Sequence, residues 1–157
     1  MLTMFRERPI FDHVPTLNDR ILKELVAIEL ETQVKPMTGR DLLREANRNV
    51  VVGAWMHGHL VGVIFFANRP GMVVVNRIGV LPKYRRHKIG RDLLSYVDPY
   101  MNRRKQRAVC AFEHREEHDA AAKFFSALGW TGELDHFADD DLFFLQFTKT
   151  YKQKEKA

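Results

Sequence analysis

Three apolar segments separated by turn residues are the feature that most constrains how this chain can fold. Val50–Met56, Leu60–Ala67 and Met72–Leu81 are rich in β-branched and aromatic residues, a composition typical of strands. His57-Gly58 and Arg69-Pro70-Gly71, which separate them, are turn sequences. The middle of the sequence therefore predicts a three-stranded antiparallel meander.

Two helices are predicted before the meander and two after it. Thr16 or Asn18 is a suitable N-cap for the first helix, and Thr38 is one for the second. The fourth helix covers Ala120–Leu128 and is closed by Gly129. The third helix is predicted from an apolar face with helical spacing, formed by Ile89, Leu93, Leu94, Val97 and Met101.

Further strands are predicted at Arg107–Phe112 and Leu142–Phe147, with Met1–Arg8 as a short edge strand. Because no repeat or Gly/Ser-rich linker interrupts the chain, we expect one domain over residues 1–148 and a basic tail over residues 149–157. The order strand, basic loop, helix, strand, helix over residues 83–128 is where α/β proteins place ligand sites.

Charge is distributed unevenly along the 157 residues, whose net charge is +5. Residues 83–107 carry nine basic and two acidic side chains, whereas residues 112–147 carry two basic and nine acidic ones. A local field of this kind indicates an anionic partner for the first segment, such as a phosphorylated cofactor, a nucleic acid or an anionic surface.

Cysteine content and hydropathy indicate the compartment. The single cysteine, Cys110, excludes an internal disulfide and suggests a reducing environment. No apolar run approaches the ~18 residues of a spanning helix, and Met1–Arg8 does not resemble a signal peptide. We therefore expect a cytoplasmic protein with no membrane partner.

The turn Tyr84–Arg91 that leads into the third predicted helix is the strongest candidate site. A helix N-terminus offers main-chain N–H groups and the positive end of the helix dipole, and both suit a pyrophosphate. Gly90 allows a ligand to approach the main chain closely, and cationic side chains flank it. The alternative is a solvated basic loop with an ordinary capping turn, because basic surface runs are common.

At these residues the chain resembles the GNAT superfamily of acyl-coenzyme A N-acyltransferases. The signature of that family, Gln/Arg-x-x-Gly-x-Gly/Ala after a strand ending in Val-x-Pro, is similar to Val80-Leu81-Pro82 followed by Arg85-Arg86-His87-Lys88-Ile89-Gly90. A second family pattern is similar to Glu113–Trp130, with Glu113, Ala121 and Gly129 in register. The register of Glu113 is closest to the ribosomal-protein N-terminal-alanine acetyltransferases.

The resemblance covers nearly the whole chain and implies an α/β (α+β) domain. Its mixed, mostly antiparallel sheet would have six to seven strands flanked by about four helices. The implied activity is transfer of an acetyl group from acetyl-CoA to a primary amine of a protein N-terminus, a lysine or a small molecule, without a metal. The implied cofactor-binding residues are Ile78, Gly79, Val80, Arg85, Arg86, His87, Lys88, Ile89, Gly90, Arg91, His118 and Phe125.

Three positions depart from the family pattern, and each bears on catalysis. Lys88 stands where the middle glycine of the signature is usual, and its ammonium group is a candidate phosphate contact. His118 replaces an asparagine that contacts the pantetheine arm. Phe125 replaces a tyrosine that in many members protonates the departing thiolate. These departures support an alternative in which the protein has lost catalysis and serves as a binding or structural component.

Acyl transfer to an amine requires a neutral amine, a polarised thioester carbonyl and a departing thiol. The resemblance implies Glu113 as the general base, with a solvent-facing carboxylate at a strand end as the alternative reading. It also implies a main-chain N–H near Ile78–Val80 as the group that polarises the carbonyl. His118 or water is left to deliver the proton to the thiolate. The acidic loop Asp135–Asp141 would border the amine site, or be merely solvated.

Two other functions compete with this prediction. His114–His118 reads H-x-x-E-H, a zinc-binding spacing, but two histidines four apart share a metal only on one helix face, and His114 is predicted to end a strand. The basic residues 83–107 are compatible with nucleic acid, but they are predicted to lack the interleaved exposed aromatics of a base-stacking surface, and they contain no recognised nucleic-acid motif. We therefore expect no metal and no nucleic-acid partner, and the oligomeric state, a homodimer included, is left open.

Overall fold

The computed structural model describes residues 8–14, 17–101, 107–113, 115–136 and 143–150. Within these ranges, the side chains of Arg86, Glu113, Asp135, His136, Phe143 and Phe144 are not described. The predicted strand at Met1–Arg8 falls largely outside the described residues, as do Thr16, His114 and the segment 137–142.

Seven strands, four α-helices and three short 3-10 helices form the described chain. In order these are β1 (Ile10–His13), α1 (Asp19–Thr32), α2 (Gly39–Arg48), β2 (Val50–Met56), β3 (His59–Arg69), β4 (Met72–Val80), a 3-10 helix (Pro82–His87), α3 (Ile89–Ser95), a 3-10 helix (Asp98–Tyr100), β5 (Arg107–Glu113), a 3-10 helix (Glu116–His118), α4 (Asp119–Ala127), β6 (Thr131–His136) and β7 (Phe143–Thr150).

The strands form one sheet in the order β1-β2-β3-β4-β5-β7-β6. The pairs β1–β2, β5–β7 and β7–β6 are antiparallel, whereas β4 and β5 are parallel. The predicted mixed, mostly antiparallel sheet is therefore confirmed. Tertiary contacts divide the chain into two compact units, Met1–Phe65 with Arg77–Leu94 and Phe66–Asn76 with Ser95–Ala157.

Local signals fix the helices of the first unit. The side chain of Asn18 accepts a hydrogen bond from the Ile21 amide at 2.9 Å, and that of Thr38 accepts one from the Asp41 amide at 3.2 Å. Both predicted N-caps are therefore confirmed. The helices bury an apolar face against the meander, in a core formed by Leu25, Ile28, Leu42, Val51, Leu60, Val63 and Phe65.

The third predicted helix is shorter than its apolar pattern. Although Val97 and Met101 are buried as predicted, α3 ends at Ser95 and a 3-10 turn occupies Asp98–Tyr100. Pro99 explains the early end, because proline cannot continue an α-helix and disfavours helical geometry in the residue before it. The polar segment predicted as a loop before α3 is the 3-10 helix Pro82–His87.

The second unit contains a strand that the sequence pattern did not reveal. Asp135 and His136, predicted as part of an acidic loop, belong to β6, which pairs along its whole length with β7. Strand β7 also continues to Thr150, two residues beyond the predicted end of the domain at residue 148. There the ammonium group of Lys149 contacts the Asp98 carboxylate at 3.2 Å.

Candidate active site

The turn between the 3-10 helix Pro82–His87 and α3 depends on one unusual main-chain conformation. Lys88 adopts a left-handed conformation, with φ of 59° and ψ of 21°. That conformation costs a non-glycine residue about 1–2 kcal/mol, because the Cβ crowds the neighbouring carbonyl oxygen. The geometry explains why a glycine is favoured at this position, and it shows that Lys88 preserves the turn at some cost in stability.

Buried contacts hold α3 against β3. The side chains of Ile89 and Leu93 are completely buried. A Cβ added to Gly62 of β3 would lie 3.2 Å from a methyl group of each, so the glycine allows the helix to pack closely on the strand. The first described i→i−4 hydrogen bond of α3 runs from the Asp92 amide to the Lys88 carbonyl at 3.1 Å. The amides of Ile89, Gly90 and Arg91 precede that bond, as expected at a helix start.

The cationic side chains of the turn have different partners. Arg85 donates its Nε–H to the Val80 carbonyl at 3.2 Å, and Arg91 contacts the Asp92 carboxylate at 3.1 Å. Lys83 lies 5.7 Å from the centre of the Tyr84 ring. His87 and Lys88 are exposed. Among the contacts that the structure describes, Arg91 is the cation of this turn whose charge a neighbouring carboxylate offsets.

In the C-terminal half of β4, the main-chain groups of Ile78 and Val80 point away from β3. The Leu81 amide donates to the Val61 carbonyl of β3 at 2.9 Å. Because main-chain groups alternate along a strand, those of Ile78 and Val80 point to the opposite side. Side chains bind both carbonyls there: Gln33 Nε2 donates to the Ile78 oxygen at 3.1 Å, and Arg85 donates to the Val80 oxygen.

Gly79, predicted as a cofactor-binding residue, also allows α1 to pack closely on β4. A Cβ added to it would lie 2.5 Å from the Thr32 hydroxyl oxygen and 3.1 Å from the Thr32 Cβ. Only a residue without a side chain lets the end of α1 approach β4 this closely. Since the main-chain groups of Gly79 point towards β3, Ile78 and Val80 are the residues whose amides β4 offers on its other side.

The second unit contains the remaining predicted residues. Glu113 is the last residue of β5, where its main chain pairs with Phe144 of β7. His118 precedes α4, half-buried, with its ring centre 5.2 Å from that of Phe112. Glu117, in the turn before it, is fully exposed, and its pKa lies below the usual range because its main-chain N–H and the Arg115 guanidinium favour the charged form.

Phe125 is a core residue. Its ring is 1% exposed and lies 5.1 Å from Trp130 and 5.5 Å from Phe147, measured between ring centres. The side chain of Phe125 is therefore enclosed by its neighbours, and its contact with the cofactor stays a prediction. Its place in an aromatic cluster also explains why the position tolerates a ring without a hydroxyl group.

Two other candidate chemistries were tested against the described residues. Burial raises the pKa of the Cys110 thiol to about 12, so the group is protonated and is a poor nucleophile. Among the residues whose placement is described, no cluster of three or more His, Cys, Asp or Glu side chains is arranged to hold a metal ion. His114 of the zinc-like spacing lies outside them.

None of the described helices is long and apolar enough to span a membrane.

A sequence profile of the acetyltransferase (GNAT) family matches residues 18–130. The chain belongs to the GNAT family. Among curated proteins no match to this GNAT protein is found.

Solved structures with the same fold resemble this GNAT protein over nearly its whole length. The ribosomal-protein-S18-alanine N-acetyltransferase from Escherichia coli matches with a TM-score of 0.73 and 15% identity, over 96% of this chain and 99% of that one. An aminoglycoside 6'-N-acetyltransferase complexed with coenzyme A has a TM-score of 0.74 and 16% identity, over 94% and 99%. The aminoglycoside 6'-N-acetyltransferase from Enterococcus faecium has 0.73 and 16%, over 94% and 99%. The predicted family and fold are confirmed.

Several residues that organise β4 were missed by sequence reasoning. Glu29, Thr32 and Gln33 belong to no motif that the sequence shows. Arg77 carried the available signal, because a charge within an otherwise apolar strand requires a partner. The partner itself, Glu29, is 48 positions away in the chain and is brought there by the fold.

Proposed function

We propose that this protein is an acetyl-CoA-dependent N-acetyltransferase that transfers the acetyl group to a primary amine. The observation that carries the proposal is the family match over residues 18–130. Within the matched segment, Lys88 adopts the left-handed main-chain conformation that favours glycine. The pyrophosphate of coenzyme A would bind the amides at the start of α3, with Arg85, Arg86, His87 and Lys88 around it.

The thioester carbonyl would bind the Ile78 or Val80 amide of β4. These amides lie on the side of the strand that faces away from β3, as the Leu81 bond to Val61 requires. A donor at this place stabilises the negative charge that develops on the carbonyl oxygen as the amine attacks. The direction of the Ile78 and Val80 amides therefore supports the predicted main-chain contacts of these two residues. The main-chain groups of Gly79 point towards β3 instead.

The general base in this proposal is Glu113, acting directly or through water. The neutral amine attacks the thioester carbon to form a C–N bond, the C–S bond breaks, and the proton lost by the amine passes to Glu113. Coenzyme A leaves as a thiolate, which the usual thiol pKa of ~8.5 allows. His118 or water then supplies the proton to sulfur, because Phe125 has no group to do so.

The acceptor is an amine of a protein N-terminus, a lysine side chain or a small molecule. The solved relatives named above act on a ribosomal-protein alanine and on aminoglycosides. The acidic segment 112–147, with nine acidic and two basic side chains, favours a cationic acceptor by long-range attraction. A cytoplasmic location, which suits these acceptors, stays a prediction.

Thiol release from acetyl-CoA tests the proposal. The full chain is incubated with acetyl-CoA and with a panel of amines: an Ala-terminated peptide, a Lys-containing peptide with a blocked N-terminus, an aminoglycoside and a polyamine. We expect thiol release with at least one acceptor, and a fall of about 100-fold in kcat for Glu113→Gln. Glu133→Gln, which changes an exposed carboxylate on β6, is the control and should retain the wild-type kcat, because long-range attraction acts on acceptor encounter and not on the chemical step.

Two results would contradict the proposal in different ways. If coenzyme A does not bind by calorimetry and no thiol is released, the protein is not an acetyltransferase. If coenzyme A binds but no acceptor supports turnover, the protein is a binding component that has lost catalysis, as the departures at Lys88, His118 and Phe125 would then explain.

A further inference from the structure

On the side of β4 that faces away from β3, side chains bind two main-chain carbonyl oxygens, those of Ile78 and Val80. Along a strand edge, N–H donors alternate with carbonyl acceptors, so the carbonyls of Ile78 and Val80 lie beside the amides of the same residues. An oxyanion that forms against these amides would be repelled by both carbonyl oxygens. Both are bound by side-chain donors, Gln33 Nε2 at 3.1 Å and Arg85 Nε at 3.2 Å.

We propose that Gln33 is a positioning residue of the acetyl-transfer site, which binds the Ile78 carbonyl as Arg85 binds that of Val80, so that both of these acceptors on this side of β4 are occupied. The inference rests on the proposed function and deepens it. By donating to the Ile78 carbonyl, the Gln33 amide offsets the partial negative charge beside the thioester oxygen. It also fixes the Ile78–Gly79 peptide plane, and thus the strand geometry in which the Ile78 and Val80 amides point at the ligand.

The orientation of the Gln33 amide is determined by its neighbours. The Thr32 hydroxyl donates to the Ile28 carbonyl at 2.7 Å, so its oxygen is left to accept from Gln33 Nε2 at 3.2 Å. The same nitrogen also donates to Ile78. The Gln33 main-chain amide completes α1 by donating to the Glu29 carbonyl at 3.0 Å. The side chain therefore projects from a capped helix end, with its donor end held between two acceptors.

The segment that follows Gln33 is anchored to the same strand. Glu29 of α1 accepts a hydrogen bond from the Met37 amide at 2.9 Å and forms an ion pair with Arg77 of β4. Arg77 also donates to the Lys35 carbonyl at 3.3 Å. The connection between α1 and α2 is thus fixed to β4 at residues 33 and 35 and to Glu29 of α1 at residue 37, so loss of the Gln33 donor does not by itself release the connection.

Substitution at Gln33 separates a positioning role from a structural one. Gln33→Met keeps the length of the side chain and removes the donor, and Gln33→Glu replaces the donor by a carboxylate beside the Ile78 oxygen. The matched control is Asn49→Leu, because Asn49 is likewise the C-cap of a helix, α2, and its side-chain amide donates to the Glu45 carbonyl at 2.7 Å, away from β4. Melting temperatures of all variants give the structural effect.

The decisive readout is the infrared band of the thioester carbonyl of [1-13C-acetyl]-CoA bound to each variant. In the wild type we expect the band to shift to lower frequency than in free acetyl-CoA, because the β4 amides polarise the carbonyl. In Gln33→Met the shift should shrink, and kcat should fall about threefold to tenfold, the loss expected for one neutral hydrogen bond. Gln33→Glu should lose more. The Kd of coenzyme A, which has no thioester, should stay within twofold of the wild type.

The possible outcomes distinguish the inference from the proposed function. A band shift and a kcat in Gln33→Met that match those of the wild type and of Asn49→Leu would overturn the role of Gln33 and leave the acetyltransferase proposal intact. Equal losses in Gln33→Met and Asn49→Leu, in step with their melting temperatures, would reduce Gln33 to a structural role. Failure of the wild type to bind acetyl-CoA would overturn both.

Discussion

The carboxylate of Glu29 in α1 lies 2.6 Å from the guanidinium of Arg77 in β4, and the pair links the helix to the strand on which the thioester is proposed to bind. The Glu29 side chain is 6% exposed and that of Arg77 is 18% exposed. The Nε of Arg77 is buried and has no hydrogen-bond acceptor among the described residues. The ion pair with Glu29 and the bond to Lys35 therefore account for the described polar contacts of the guanidinium.

Removal of the carboxylate should destabilise the protein strongly. Glu29→Ala leaves a buried guanidinium without its countercharge and the Met37 amide without its acceptor, so we expect a loss of about 3–5 kcal/mol in the free energy of unfolding. The double variant Glu29→Met/Arg77→Met should recover the part of the loss that comes from the unpaired charge, but not the part that comes from the Met37 amide. Chemical denaturation measures both. Arg44→Ala, which breaks an exposed pair with Asp41, should cost no more than about 1 kcal/mol; an equally small loss for Glu29→Ala would contradict the prediction.

Replacement of Lys88 by glycine should raise stability and weaken coenzyme binding. Glycine relieves the left-handed strain of about 1–2 kcal/mol, partly offset by its greater freedom in the unfolded chain, so we expect a net gain of about 0.5–1 kcal/mol. Loss of the ammonium group should raise the Kd of coenzyme A about twofold to fivefold at low salt, and the difference should shrink at high salt.

The hairpin between β2 and β3 offers the matched control for Lys88. His57 is the other described non-glycine residue with a positive φ, at 54°. His57→Gly should therefore stabilise the protein to a similar extent without changing the Kd of coenzyme A. A change in Kd of the same size in both variants would show that Lys88 has no specific contact with the coenzyme.

Any side chain at position 79 should force α1 away from β4. Gly79→Ala brings a Cβ within 2.5 Å of the Thr32 hydroxyl, and overpacking of this kind costs about 1–3 kcal/mol. Thr32→Ala in the same chain removes the clashing atom, so a double-mutant cycle should show favourable coupling between the two changes. Gly39→Ala is the control, because its Cβ would meet only ordinary contacts at 3.6 Å and beyond. A neutral Gly79→Ala would mean that the contact is not tight.

The buried thiol of Cys110 should make stability depend on alkaline pH. Its folded pKa of about 12 lies above the value of 9.0 expected for the unfolded chain. The stabilisation is therefore complete below pH 9 and is lost as the pH rises towards 12, by up to about 1.4 kcal/mol per pH unit. The unfolding free energies of wild type and Cys110→Ala, compared between pH 7.5 and 10.5, measure this loss. Parallel curves would show that Cys110 ionises equally in both states.

The elements that local sequence specified were predicted well. Asn18 and Thr38 cap their helices because an N-cap bond involves residues only three positions apart. The meander was visible because its apolar segments and turns are contiguous. By contrast, β6 was missed because its sequence contains one large apolar residue, Leu134, and so shows no alternation of apolar and polar residues. In the structure Leu134 is 54% exposed. The strand therefore exists through its pairing with β7.

The sequence by itself determined the family, the order of helices and meander strands, and the basic turn before α3, because all of these are encoded in residues close together in the chain. Only the tertiary structure decided what that turn and β4 present to a ligand. It assigned Phe125 to the core, paired Glu29 with Arg77 and joined Gln33 to the Ile78 carbonyl. Such contacts depend on distances between residues far apart in the chain, and those distances follow from packing rather than from any local pattern.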